Sequence, residues 1–450
     1  MDYSNIDQYL EKNIEKSLEE LGELCKIPTI SAQNLNLVEG AEYVGEMLKK
    51  RGFLVEVHPT EGAPIVFAER KGISDKTILF YNHYDVQPPE PFELWESPPF
   101  EPSIRDGKMY ARGVSDDKGH IVSRLFALDA ILDSESDLPC TIKFIIEGEE
   151  ETTSKNITSF VEENNEKLAA DACIWEFGTV NHQGTPQQIL GLRGICYVEL
   201  SVETASSDSH SGLGGTIFPN AAWRLAWALN TLKDRDENVL IPGFYDNIQP
   251  PSQRDQEFFS KLPDPADDYK SRYGVKSFLK GATGGSSLMI QEVFEPSCTI
   301  CGLTSGYQGP GSKTVLPARA SAKIDFRLVP HQTPEDILEK LRVHLDREGF
   351  QDVHIEYLGG EAAGRTDPDD PFVQTVVLAA KEVYGVPMEI IPMVGGSGPN
   401  HVFLKELNLP IATAGIGYPG TKAHAPNENI VIDHYMKGAK HICRILKEFA

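Results

Sequence analysis

Basic residues are scarce in this chain: 42 lysines and arginines stand against 67 aspartates and glutamates, for a net charge of −25 over 450 residues. Phosphate binding needs lysine and arginine in clusters, and none is found, so nucleic acid and anionic membranes are disfavoured as partners. Such a chain instead keeps cations nearby. No run of about eighteen apolar residues occurs, so no membrane span is expected. The opening stretch MDYSNIDQYLEKNIEK has neither a basic flank nor an apolar core, and no secretory signal is expected from it. Cysteines number seven, an odd count spread along the chain, which fits a reduced cytoplasmic protein better than a disulfide framework. Cys298 and Cys301 form a CxxC, but SCTICGL alternates like a strand, where residues three apart face opposite ways. No second pair completes a zinc site there. Internal repeats and low-complexity segments are also absent.

With 40% hydrophobic and 24% charged residues the composition is that of a globular protein, and the length exceeds what one hydrophobic core usually fills. Two domains are therefore expected. Short apolar runs alternate with helical patterns through the first part: strands at 55–57, 64–68, 77–81, 141–146 and 172–175, and helices at 3–25, 37–51, 120–133 and 155–168. That order predicts an α/β fold, a mostly parallel sheet flanked by helices. The texture changes near Leu190. An edge-like strand or pair of strands at 188–202, a helix at 221–232, a polar proline-containing insertion at 234–285, strands at 297–303, 318–329 and 353–358 and a helix at 334–347 form an α+β unit. Strand and helix alternation then returns, closing with a helix at 433–449. The expected organisation is a catalytic domain in two parts, 1–189 and 395–450, with a lid or dimerisation domain, 190–394, inserted between them.

Strand ends carry the chemistry. His83 and Asp85 follow the apolar run Thr77–Tyr81, and the C-terminal edge of a parallel sheet is where ligands bind, so this pair suits a metal or a proton transfer. Glu147 through Glu151 follow a second buried strand, and Glu176 a third. Asp116, in Ser-Asp-Asp-Lys-Gly ahead of a helical pattern, suits either a helix cap or a site carboxylate. His424 lies in a turn-rich loop after a buried strand at 411–416. Taken singly, a glutamate run is most often a solvated surface and a loop histidine is most often exposed.

Together these residues resemble a known family. His83-x-Asp85, Asp116 in Gly-x-Ser-Asp-Asp-Lys-Gly, Glu150-Glu151 after Glu147-Gly148, and His424 in Ala-His-Ala-Pro-Asn-Glu are similar to the di-zinc peptidase family of carnosinase, cytosolic non-specific dipeptidase, aminoacylase and glutamate carboxypeptidase. The segments LGLRGICYVEL, SHSGLGG, KTVLPARASAKIDFRLVP and Gly395-Gly396-Ser397 extend the resemblance over nearly the whole chain and bring it closest to the dipeptidase branch. The resemblance implies two divalent ions, zinc first with manganese or cobalt as alternatives. His83 and Glu176 would bind one, Glu151 and His424 the other, and Asp116 would bridge them. It implies that Asp85 orients His83 and that Glu150 is the general base. It also implies that His210 reaches the neighbouring subunit's site in a homodimer to stabilise the oxyanion, and that Arg327 clamps a substrate carboxylate at an end lined by Thr314, Gly396 and Ser397. The activity implied is hydrolysis of dipeptides or similarly small peptides with a free C-terminal carboxylate. One position departs: where dipeptidases usually have aspartate this chain has Glu176, as carboxypeptidases and aminoacylases do. A metallo-carboxypeptidase or N-acyl-amino-acid deacylase is therefore the nearest alternative, and a non-catalytic metal-binding homologue a remote one.

Overall fold

The structure is a computed structural model that describes residues 2–450. The chain divides into two units: the first comprises residues up to Gly191, Arg365–Pro392 and Pro399–Ala450, and the second comprises Leu192–Gly364 and Met393–Gly398.

The first unit is built on a six-stranded sheet in the order Leu54–His58, Ile65–Arg70, Thr141–Glu147, Thr77–His83, Ala172–Trp175, Ile411–Thr413. The last four run parallel, and the first two join antiparallel at one side. All seven positions of Thr141–Glu147 are buried, as expected for a strand covered on both faces. Alternation along Thr77–His83 separates those faces. Ile78 and Phe80 join the core formed with helices Ser4–Cys25, Lys118–Glu135, Pro371–Tyr384 and Ile432–Phe449. Tyr81 points the other way, stacking on Trp175 at 4.1 Å and meeting Phe403 edge-on at 5.1 Å.

The buried Arg124 joins two strand ends. Its guanidinium donates to the main-chain oxygens of Tyr81 (2.9 Å) and Glu176 (3.0 Å), and also to Trp175 O and Asn82 Oδ1. Carbonyls at the ends of the two parallel strands are thereby satisfied from one side chain.

In the second unit a four-stranded antiparallel sheet runs in the order Ser297–Ser305, Arg319–Leu328, Gly194–Glu203, His354–Glu361. Strict in-out alternation of burial along Gly194–Glu203 and Arg319–Leu328 leaves one face for a core with helices Ala221–Asn230 and Pro334–Arg347. Asn220 Oδ1 caps the first of these helices by accepting the Ala222 N–H at 2.9 Å, and Thr333 with Pro334 begins the second.

Three sequence expectations change here. The strand expected at an edge near 188–202 is interior, between Arg319–Leu328 and His354–Glu361. In an antiparallel sheet, alternation reports which face is buried and not how many neighbours a strand has. The insertion at 234–285 contains the helices Gln253–Phe259 and Ala266–Tyr273. These span two turns each, too short for a hydrophobic period to register, and the first is set by a capping box of Ser252 and Asp255. The helix expected over 155–168 is two, Ile157–Glu163 and Asn165–Leu168. Cys301 is the bulged residue of its strand and is exposed, whereas Cys298 is buried.

Candidate metal centre

The sheet of the first unit delivers its acidic and imidazole side chains from the parallel strands' C-terminal ends. His83 is the last residue of Thr77–His83, Glu147 closes the neighbouring strand, and Glu176 follows Trp175 on the third. Asp116 comes from the turn before helix Lys118–Glu135. That helix has Asp117 at its N-cap position with no side-chain capping bond. Asp116 is therefore not a cap, and its carboxylate faces two imidazoles: Oδ1 lies 3.0 Å from His83 Nε2, and Oδ2 lies 3.0 Å from His424 Nε2. His424 Nε2 also lies 3.1 Å from Glu151 Oε2. Ligand atoms of Asp116, Glu151 and His424 all fall within 4.8 Å of one another. Glu150 Oε2 is 4.0 Å from His83 Nε2, and Asp116, Glu150, Glu176 and His424 line one cavity of about 290 Å³.

Behind these groups lies Asp85, which is fully buried. Its Oδ1 is 3.3 Å from His83 Nδ1 and accepts the Glu150 N–H at 3.2 Å, while its Oδ2 accepts the Glu151 N–H at 3.1 Å. Two buried acids to which the sequence analysis assigned no role support the same surface. Asp117 Oδ2 accepts from Asn82 Nδ2 (2.5 Å) and from the His83 N–H (3.1 Å). Glu428 accepts main-chain N–H bonds from Gly113, Ser115 and Asp116. Their sequence signals were an Asp-Asp pair and an acid directly before a buried strand, neither distinctive.

Carboxylates outnumber cations in this cavity. Burial raises Glu150 and Glu176 well above the ordinary glutamate range, with the charge of Glu176 adding to the shift of Glu150 and Asp116 adding to that of both. Burial acts against the charge on Asp116 too, but the imidazoles of His424 and His83 hold it below the usual range. Burial likewise opposes protonation of His83, and the carboxylates of Asp116 and Asp85 reverse the balance, raising it. Glu151 Oε1 and Glu176 Oε2 are buried without a hydrogen-bond partner. Unpartnered buried carboxylate oxygens beside two imidazoles are a donor set that fits divalent cations.

The remaining candidates lie in the second unit. Arg327 Nη1 donates to Ser397 Oγ at 2.8 Å, and Arg327 Nε to Asp325 at 3.0 Å. Gly396 accepts the Arg193 N–H at 2.9 Å through its main-chain oxygen. His210 pairs across Val315–Leu316, and its Nε2 lies 3.4 Å from Thr314 Oγ1. The structure thus forms two further groupings, Arg327 with Ser397 and His210 with Thr314.

A parallel α/β sheet whose strand ends gather imidazoles and carboxylates in this pattern defines a hydrolase dependent on divalent metal. Residues 79–448 match Peptidase family M20/M25/M40, and the chain belongs to that family; it is a metallopeptidase. Among its relatives, a Cys-Gly metallodipeptidase of Schizosaccharomyces pombe is 26% identical over 100% of this chain and 99% of its own length. A human Beta-Ala-His dipeptidase is 27% identical over 86% of this chain and 78% of its own. Among solved structures, an M20 family metallo-carboxypeptidase, Sso-CP2 from Sulfolobus solfataricus, superposes with a TM-score of 0.92 at 37% identity, covering 96% of this chain and 99% of that one. No helix among the described residues is long and apolar enough to cross a membrane.

Proposed function

We propose that the chain hydrolyses the amide bond of dipeptides, or similarly small peptides with a free C-terminal carboxylate, with Glu150 as general base. The observation that carries the reading is Asp116 set between His83 and His424, 3.0 Å from each, with Glu150 beside them. His83 and Glu176 would hold one divalent ion, Glu151 and His424 the other, and Asp116 both, zinc being the ion that best suits imidazole and carboxylate donors. When bound, such a pair makes water acidic enough to ionise near neutral pH and polarises the scissile carbonyl. Glu150 removes a proton from the attacking water and delivers it to the nitrogen of the leaving amine. Asp85 holds the His83 ring and the Glu150 and Glu151 main chain in register for this step. Arg327, steadied by Ser397, binds the substrate's terminal carboxylate through its planar fork, in a subsite shared with Thr314 and Gly396. His210 from the other subunit of a homodimer donates to the developing oxyanion. Within the expected 190–394 region, residues 192–364 act as the lid and dimerisation domain, since residues 365–392 belong to the first unit with helix Pro371–Tyr384 in its core, and the protein works in the cytoplasm.

A second reading keeps the site and changes the acyl side. Glu176 and the 37% identity to a protein described as a metallo-carboxypeptidase both favour release of C-terminal residues from longer or N-blocked substrates. Measuring kcat/KM of the metal-loaded enzyme on dipeptides, longer peptides and N-acyl amino acids separates the two. Highest values on dipeptides support the first reading, and highest values on longer or N-blocked substrates replace it with the second. Hydrolysis of none of them overturns both.

A further inference from the structure

Glu428 takes no part in the reaction as written above, yet it is completely buried and bonded through both oxygens. Oε1 accepts the N–H groups of Ser115 (2.9 Å) and Asp116 (3.1 Å); Oε2 accepts the Gly113 N–H (3.0 Å) and Arg112 Nη1 (2.7 Å). A carboxylate this deep is tolerated only when its charge is paired and its lone pairs are used. Here they are used to hold the main chain that carries Asp116.

The next residue holds the other side. Asn429, also buried, donates from Nδ2 to the main-chain oxygens of Gly420 and Asn427, each at 3.0 Å, and from its N–H to Thr421 O at 2.8 Å; its Oδ1 accepts from the Tyr418 hydroxyl at 2.5 Å. The loop between these contacts contains Lys422, His424 and Asn427 at φ of 54°, 61° and 65°, a left-handed region that residues other than glycine adopt only sparsely. Left alone, such a loop would relax to other courses. Two consecutive side chains therefore anchor two separate loops, and the tips of those loops, Asp116 and His424, meet at 3.0 Å.

We infer that Glu428 and Asn429 are positioning residues that set the separation of Asp116 from His424, and through it the affinity for a cation at that edge of the site. The inference rests on the metal-site assignment proposed above. Neither residue touches the reacting atoms.

The test uses near-isosteric changes. Glu428→Gln turns one carboxylate oxygen into an amide that faces N–H donors, and Asn429→Asp puts a carboxylate oxygen, which cannot donate, against the carbonyl oxygens of Gly420 and Asn427. Full-length protein stripped of metal is titrated with cobalt(II), following the visible absorption of the bound ion and competition with a chromophoric chelator. Thermal unfolding of the metal-free protein is recorded in parallel. The expected result is cobalt affinity at least tenfold weaker for the more weakly held ion, with an altered absorption band, in either variant; kcat falls while KM changes little. Wild-type affinity and spectrum in folded variants, even ones with a lowered Tm, would make both residues merely structural and overturn the inference. Should Glu428→Gln not fold, Asn429→Asp decides alone by the same readout. Wild-type protein that takes up no cobalt sinks the metal-site assignment instead, a separate result.

Discussion

The carboxylate of Asp85 accepts the main-chain N–H of Glu150 at 3.2 Å while lying 3.3 Å from the ring of His83. One buried side chain thus orients both an imidazole and the segment that carries the proposed base. Replacing it with alanine is expected to disturb both together, lowering metal affinity and kcat by about 10- to 100-fold each, the usual range for a residue that orients a metal-bound histidine. Chelator competition and steady-state kinetics on Asp85→Ala check this; a loss confined to kcat would show that the His83 contact is dispensable.

Glu150→Gln removes the proton acceptor and keeps the shape. The expected outcome is a fall in kcat of about 10²- to 10⁴-fold with unchanged metal content. Metal analysis beside kinetics distinguishes this from loss of a ligand.

Treatment with a strong chelator is expected to abolish hydrolysis, and divalent metal to restore it. The carboxylates left facing one another repel, so the stripped protein should also unfold at lower temperature. A cation present at a thousandfold excess over its dissociation constant stabilises by about 4 kcal/mol. Calorimetry with and without metal measures the difference, and equal midpoints would count against tight binding.

Away from the site, His441 is buried at the centre of helix Ile432–Phe449, where Nε2 lies 2.9 Å from Val376 O. Burial pushes its pKa down to about 4, and the nearby Arg444 adds to the shift. The unfolded chain binds this proton at higher pH than the folded one does. The stability that His441 contributes is therefore complete above about pH 6.5 and is lost as pH falls toward 4, a span worth roughly 3 kcal/mol. Urea unfolding at pH 7 and pH 4.5 should show a smaller acid loss for His441→Gln than for the wild type.

Arg124 supplies donors to four acceptors at the ends of two strands. Arg124→Met would leave buried carbonyls unpaired, and a loss of about 3–5 kcal/mol of stability is expected, the range seen when one partner of a buried charged interaction is removed. Denaturant titration of the metal-free protein reads it directly.

How much of this was legible beforehand depended on distance along the chain. His83, Asp85 and Glu176 could be placed at strand ends because a short apolar run and its last residue are local features. Asp116 was ambiguous: a cap and a site carboxylate look alike in sequence, and it took the N-cap position of Asp117 and the approach of His83 and His424 to exclude the cap. His424 sits on a loop of left-handed residues with no periodicity, so resemblance to a family was the sole guide to it. Arg124 was invisible for another reason. An arginine in a helix ordinarily extends to solvent, and nothing nearby signals that this one is enclosed by carbonyls. The two helices of the 253–273 stretch were missed because each is too short for a pattern to register.

Trp175 stacks on Tyr81 and its indole Nε1 donates to Glu176 Oε1 at 3.1 Å. Of the four tryptophans in the chain, Trp223 and Trp227 are 60% and 56% exposed, whereas Trp175 is 1% exposed. Its fluorescence should consequently be blue-shifted from theirs and sensitive to whatever engages Glu176. The polypeptide thus carries an intrinsic optical reporter one residue away from Glu176, and if that carboxylate holds an ion as proposed, its uptake is followed without any label.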